Sequence, residues 1–432
     1  MTSLPRVLPV RQKFPDHRLA DIPGEVRREL AASQFAGRIP KGGRVAIGVG
    51  SRGIANIATI VRGVVEYWKS AGCAPFLFPA MGSHGAATAE GQAEVLEHYG
   101  VDERSMGCPV ISRLDVTPLG RSVEGIETFM DRNAFEADGV FLVNRVKWHT
   151  DFAGRIESGL FKMMAIGLGK FAGAQRYHTH ALKIGLEAMV LSVGRQVLAS
   201  GKVIGGLAIL EDANHNTARV AAIAAEGLEE KEAALLELAK SWMGRIPFPL
   251  DVLTLDEIGK NISGAGMDTK VVNRGIDGEY NPWDTAPSFV RVYVRGLSPQ
   301  SYGNAVGFGM ADIVHERLVR AIDWTPTRIN AMTSGRPASI RIPMNFPSDR
   351  ECLEQIVTTV GKFDTRDVTL GWIPNSLDIG TIVLSENLMG EIRKHPALEI
   401  AGPASDLPFD KAGDLPQFES FIGAAEPVHV AH

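Results

Sequence analysis

Three short segments of this sequence carry residues suited to gripping charge or moving protons: Ser51-Arg52, Ser83-His84 and Lys147-Trp148-His149. A guanidinium holds a carboxylate through paired N–H donors. An imidazole titrates near neutral pH, so it can take a proton and give it back. The densest stretch runs from His149 through Lys162 to His178 and His180. Lys162 sits in GLFKMM, where it either lays its stem on a core and sends its amine to water, or is a desolvated amine able to act as nucleophile or covalent tether. Gly167, Gly169 and Gly173 could let backbone amides approach a phosphate at a helix start, although glycines also end helices.

The elements around these residues follow a regular pattern. RVAIGVG from residue 44, PFLFPA from residue 75 and GVFLVN from residue 139 are short apolar runs of the buried-strand type, each just ahead of one of the three segments. Helical patterns follow the first two, IANIATIVRGVVEYWKSAG and AEGQAEVLEHYG, the latter with Thr88 as N-cap. ESGLFKMMAIG continues the third. VIGGLAIL and DVLTLDEIG add two more candidate strands. Strands alternating with helices imply right-handed crossovers and a parallel sheet, and ligands bind such sheets outside the carboxyl ends of the strands. That rule predicts one crevice receiving Arg52, His84 and His149.

The chain has 432 residues, 45% hydrophobic and 22% charged, enough for more than one core. We expect two α/β domains: residues 1–250 with a parallel sheet, residues 251–385 as a second α/β domain, and residues 386–432 as a C-terminal segment and tail, with the active site in the cleft between domains. Ser348 and Glu351 read as a capping box opening a helix in the second domain. The net charge of −5, with Lys and Arg dispersed, argues against nucleic acid. No apolar run approaches a bilayer-spanning length, so the expectation is a cytoplasmic protein without a membrane partner. Cys73, Cys108 and Cys352 are too far apart for a CxxC site, which leaves histidines as the protein ligands of any metal. The charged stretch EGLEEKEAALLELAKSW reads as a solvent-exposed amphipathic helix, and His215 in LEDANHN as a solvated turn.

The order of these residues resembles the nickel-pincer lactate racemases and their 2-hydroxyacid racemase and epimerase relatives. SRG with Arg52 is similar to the family's threonine-arginine loop, Gly82-Ser83-His84 to its glycine-threonine-histidine motif, and His149 with Phe152-Ala153-Gly154 to its second histidine loop. The sixteen residues from Lys162 to His178 match the family's spacing from tether lysine to metal histidine. The resemblance implies a nickel-bearing pyridinium-3,5-bisthiocarboxylic acid mononucleotide supplied by cofactor-synthesis enzymes. Lys162 would tether it and His178 would ligate the nickel; His84 and His149 would serve as the two bases, and Arg52 would hold the carboxylate of a small 2-hydroxyacid. Gly167 and Gly169 would lie beside the cofactor.

Two departures point to a substrate other than lactate. Val49-Gly50-Ser51 stand where the family has an aspartate before the arginine, and three more residues, around Arg155-Ile156-Glu157, separate His149 from Lys162. His180 competes with His178 for the metal role. Lys270, Asn273 and Arg274 are alternatives for a second-domain contact. A non-catalytic binding or sensor protein of the same fold is the competing function. A nicotinamide-dependent oxidoreductase is disfavoured because GVGSRG lacks the GxGxxG spacing.

Overall fold

A computed structural model describes residues 3–50, 53–82 and 84–425; Arg52 and Ser83 fall outside the described residues. The chain divides into two compact units, residues 15–243 and a second unit formed by residues 1–14 together with 244–432. Both are α/β. No helix among the described residues is long and apolar enough to cross a membrane.

Residues 15–243 build a five-stranded sheet in the order Ala74–Pro79, Arg44–Val49, Gly139–Arg145, Val203–Glu211, Thr217–Ala224. The first four strands are parallel and the last is antiparallel to its neighbour. Alternate side chains enter opposite faces. Val45, Ile47, Phe141 and Val143 pack with Ile60, Val61, Val64 and Trp68 of the helix Ile57–Ser70. Ala46, Val140 and Leu142 pack with Leu160, Phe161, Met164 and Leu168. Burial on both faces is why these strands read as unbroken apolar runs rather than as alternating ones. The carboxyl ends of the strands ending at Val49, Pro79 and Arg145 lie side by side, as the strand-end rule requires.

The second unit holds an eight-stranded sheet ordered Met344–Phe346, Ile313–His315, Phe289–Leu297, Leu250–Ile258, Leu370–Ile373, Thr381–Ser385, Val7–Gln12, Leu398–Ile400. Two expectations about the domains change here. The first strand of the chain belongs to this later unit, antiparallel to Thr381–Ser385 on one side and to Leu398–Ile400 on the other. The residues read as a tail are also built in, because Leu407, Leu415, Phe418 and Phe421 are buried in its core. Of the expected capping box the serine half is shown, with the Ser348 hydroxyl accepting from the Glu351 amide at the head of the helix Asp349–Ile356.

His315, Asp349 and Asp414 converge closely enough to resemble a cation site. Arginines already hold it. The buried Asp349 carboxylate accepts from Arg295 at 3.0 and 2.9 Å, from Arg317 at 2.8 and 2.7 Å, and from the Tyr293 hydroxyl at 2.5 Å. Burial alone would raise the Asp349 pKa, but these donors and the two guanidinium charges bring it down to about 2. The cluster is an ion-pair network that joins the strand Phe289–Leu297 to Asp414 and Leu415.

Candidate functional site

The helical run that follows Gly159 lies across the adjacent strand ends. A side-chain carbon added at Gly50 would lie 2.4 Å from Asn144 Oδ1 and 3.4 Å from Met163 Cε; one at Gly82 would lie 2.8 Å from Ile166 Cγ2 and 3.2 Å from Ala174 Cβ. Asn144, at the end of the third strand, donates to the Gly159 carbonyl at 2.9 Å. The loops after all three strands are thereby packed against one segment. This segment is irregular: Leu160–Lys162 is α-helical, Met163–Gly167 is a π turn, and Leu168–Ile184 continues as α-helix. Isolated π turns occur often at functional sites.

Lys162 is half-buried between fully or nearly buried Phe161 and Met163, and its Nζ lies 2.6 Å from His149 Nε2. His149 also packs against Phe152, the ring planes tilted by 32° and the centroids 4.6 Å apart. Two of the sequence-predicted residues therefore touch. His84 is half-buried in the loop entered from Gly82. His178 follows Ala174 by one helical turn, on the face that packs toward Gly82. His180 shares a different face with Arg176, where both line a hollow of about 270 Å³ with Arg121, Glu127 and Thr179. The two histidines thus occupy different faces of the helix.

The positions of the glycines call for a different reading. Gly167 is bare because the Ala80 carbonyl lies 2.7 Å from where its side chain would begin, and Gly169 because the Tyr177 ring lies equally near. Gly167 closes the π turn and Gly169 immediately precedes the break at Lys170, and close packing accounts for the missing side chain at both. In the second unit, Asn273 spends its amide on the carbonyls of Trp283, Ala286 and Pro287, and Arg274 donates to Asn273, Phe289 and Val290. Of the three residues considered there, Lys270 differs, with its amine 3.6 Å above the Trp283 ring.

Sequence reasoning missed the carboxylates that shape the loop from His149 to Gly159. Fully buried Glu157 accepts from the His149 amide at 2.5 Å and the Gly154 amide at 3.2 Å, and pairs with Lys240 at 2.9 Å. Glu187 accepts from the amides of Arg155 and Ile156. Glu232 accepts from those of Leu160 and Phe161 at 2.8 and 3.1 Å, capping the helix that bears Lys162. Burial pushes the Glu232 carboxyl up to about 7, against the pull of those two amides. Glu232 and Lys240 belong to Leu228–Trp242, the helix expected to face solvent. Its inner side instead holds the loop.

Lys170 forms a second support. It is fully buried and adopts φ 54°, ψ −158°, breaking the helix between Lys162 and His178. Its Nζ donates to the Pro79 carbonyl at 2.9 Å and to Gln92 Oε1 at 2.8 Å, and lies 3.6 Å from Asp131 Oδ2. Gln92 in turn donates to the carbonyls of Met81 and Gly82. One ammonium thus anchors the base of the His84 loop and the break in the helix. Burial lowers the Lys170 pKa and raises that of Asp131, each offset by the attraction of the other.

Searches of known protein families and of curated proteins give no match. Among solved structures the chain is similar to the lactate racemase apoprotein from Thermoanaerobacterium thermosaccharolyticum, with TM-score 0.54 and 11% identity, over 86% of this chain and 98% of that one. At that identity the likeness is one of fold, a mixed α/β architecture shared across nearly the whole length of the racemase.

Proposed function

We propose that this protein is an isomerase, a racemase or epimerase of a small 2-hydroxyacid, working with a nickel-pincer nucleotide held on Lys162. The observation that carries the reading is the 2.6 Å approach of the Lys162 amine to the His149 imidazole, on a helical segment laid across the strand ends. The fold likeness to a lactate racemase supports it.

The residues fit such a group. Lys162 offers a primary amine between apolar neighbours, suited to covalent attachment. His178, on the helix face toward Gly82, offers one imidazole to complete a soft-donor nickel site. When bound on Lys162 and His178, such a cofactor would supply hydride-acceptor chemistry at the substrate α-carbon. The chain's own part is proton handling and orientation. His84 and His149 each hold or release the proton of the substrate hydroxyl, one for each enantiomer, and Arg52 grips the carboxylate. The longer loop through Arg155-Ile156-Glu157, clamped by Glu157 and Glu187, fits a substrate other than lactate.

The test is intact-protein mass spectrometry with nickel analysis, on protein produced alongside the cofactor-synthesis enzymes and compared with Lys162→Ala. We expect a nickel-bearing mass increment in the wild type that is absent from the variant, with racemisation found among screened 2-hydroxyacids. An increment that persists in Lys162→Ala removes the tether. Wild-type protein that retains neither nickel nor nucleotide overturns the proposal in favour of a binding protein.

A further inference from the structure

The protonation state of the Lys162–His149 pair can be read from the bonds of the imidazole. His149 Nδ1 accepts a hydrogen bond from the Asp151 amide at 3.0 Å, so it carries no proton. A neutral imidazole then bears its proton on Nε2, and Nε2 is the atom 2.6 Å from Lys162 Nζ. An ammonium facing an N–H would set donor against donor. Lys162 must accept, and an amine accepts only through the lone pair of its neutral form.

We propose that Lys162 is held as a neutral amine by the hydrogen bond from His149, poised for acylation by an activated carboxyl or thiocarboxyl group. In that step the Nζ lone pair attacks the acyl carbon and a C–N bond forms. The bond to the leaving group breaks with its electron pair, and one amine proton is lost to water or to the leaving group. This deepens the tether role of Lys162 and rests on that reading only for the identity of the acyl group.

Two of the carboxylates that support this loop have partners of their own. Glu157 is occupied by the amides of His149 and Gly154 and by Lys240, and Glu232 by the amides of Leu160 and Phe161. Acylation has a second consequence. The new amide nitrogen delocalises its lone pair and no longer accepts from Nε2–H, so the pair comes apart. His149 then becomes a base at Nε2 by moving its proton to Nδ1 and giving up the Asp151 amide. Attachment at Lys162 is therefore the event that frees His149 for proton transfer.

The experiment follows acetylation of the full-length protein by N-acetoxysuccinimide as a function of pH, resolved by peptide mass spectrometry, with exposed Lys231 as the internal control. Lys162 should reach half its maximal rate about two pH units below the ordinary lysine value of about 10.4. His149→Ala should raise that midpoint by about one unit or more. His149→Gln, whose amide N–H can still donate, should keep it low. A wild-type midpoint matching Lys231, or the same midpoint in wild type and His149→Ala, overturns the inference. No nickel or substrate is needed. An ordinary Lys162 profile alongside nickel-dependent racemisation sinks this inference alone, whereas a depressed profile without racemisation sinks the proposed function alone.

Discussion

Replacing Lys170 with methionine is expected to cost about 3–5 kcal/mol of unfolding free energy, the range for removing one partner of a buried ion pair. The ammonium has three protons, and three acceptors surround it: the Pro79 carbonyl, Gln92 Oε1 and Asp131 Oδ2. Methionine fills the volume but leaves the buried Asp131 charge unanswered and the Pro79 carbonyl unbonded. Adding Asp131→Asn should recover most of the loss, since asparagine removes the charge and can still cap the helix Arg132–Glu136, where Asp131 now accepts from the Ala134 amide. Chemical unfolding of the four proteins of this cycle gives the coupling directly. A loss below about 1 kcal/mol in Lys170→Met, or no recovery in the double variant, would show that the ammonium is not what holds this break. The residue's left-handed backbone is itself costly for any side chain with a Cβ, by about 1–3 kcal/mol. The ion pair is what keeps that conformation in place.

The second large effect is a dependence of stability on pH that Glu232 imposes. Its carboxyl has a pKa of about 7 in the folded chain against 4.5 for the ordinary group, so the folded protein binds that proton more tightly than the unfolded chain does. The contribution is fully present below about pH 4.5 and is lost as pH rises through about 7. A shift of this size corresponds to about 3 kcal/mol. Subtracting the unfolding free energy of Glu232→Gln from that of wild type at each pH cancels the titration of the other groups. The difference should change by about 3 kcal/mol between pH 4.5 and 8, in the direction of wild type weakening as pH rises. A flat difference would mean that Glu232 titrates normally and that the amides of Leu160 and Phe161 compensate its burial in full.

Much of the site could be read in the sequence because it obeys a topological rule. Unbroken apolar runs mark strands buried on both faces, and residues just past such runs gather at one edge of a parallel sheet. Hence the placement of the loops that carry His84 and His149 at neighbouring strand ends followed from order alone, with Arg52 outside the described residues. What was not legible depends on which way a side chain turns. A glutamate at helical spacing looks the same whether it faces water or two buried amides, so a helix read as amphipathic and solvent-exposed gave no sign of the inward roles of Glu232 and Lys240. The break falls on Lys170 itself, where a positive φ is expected of the adjacent Gly169 rather than of a lysine. Gly167 and Gly169 suggested a phosphate cradle, yet their bareness answers to the Ala80 carbonyl and the Tyr177 ring, which pack against them from within the fold. The placement of Val7–Gln12 was hidden because its pairing partners are so distant in the chain.

That last feature bears on how the molecule comes into being. Val7–Gln12 is made well before its neighbours in the sheet, since the strands that flank it begin only at Thr381 and Leu398. Residues 15–243 hold both of their cores within a continuous stretch, so that unit can close while the rest is still being synthesised. That strand must wait, unpaired, until both of its neighbours have been made. Until it is captured, Leu398–Ile400 has no neighbour and Thr381–Ser385 presents an open edge that a second nascent chain could join. A strand made before residues 15–243 is built in after them, and its capture is what joins Leu398–Ile400 to the sheet.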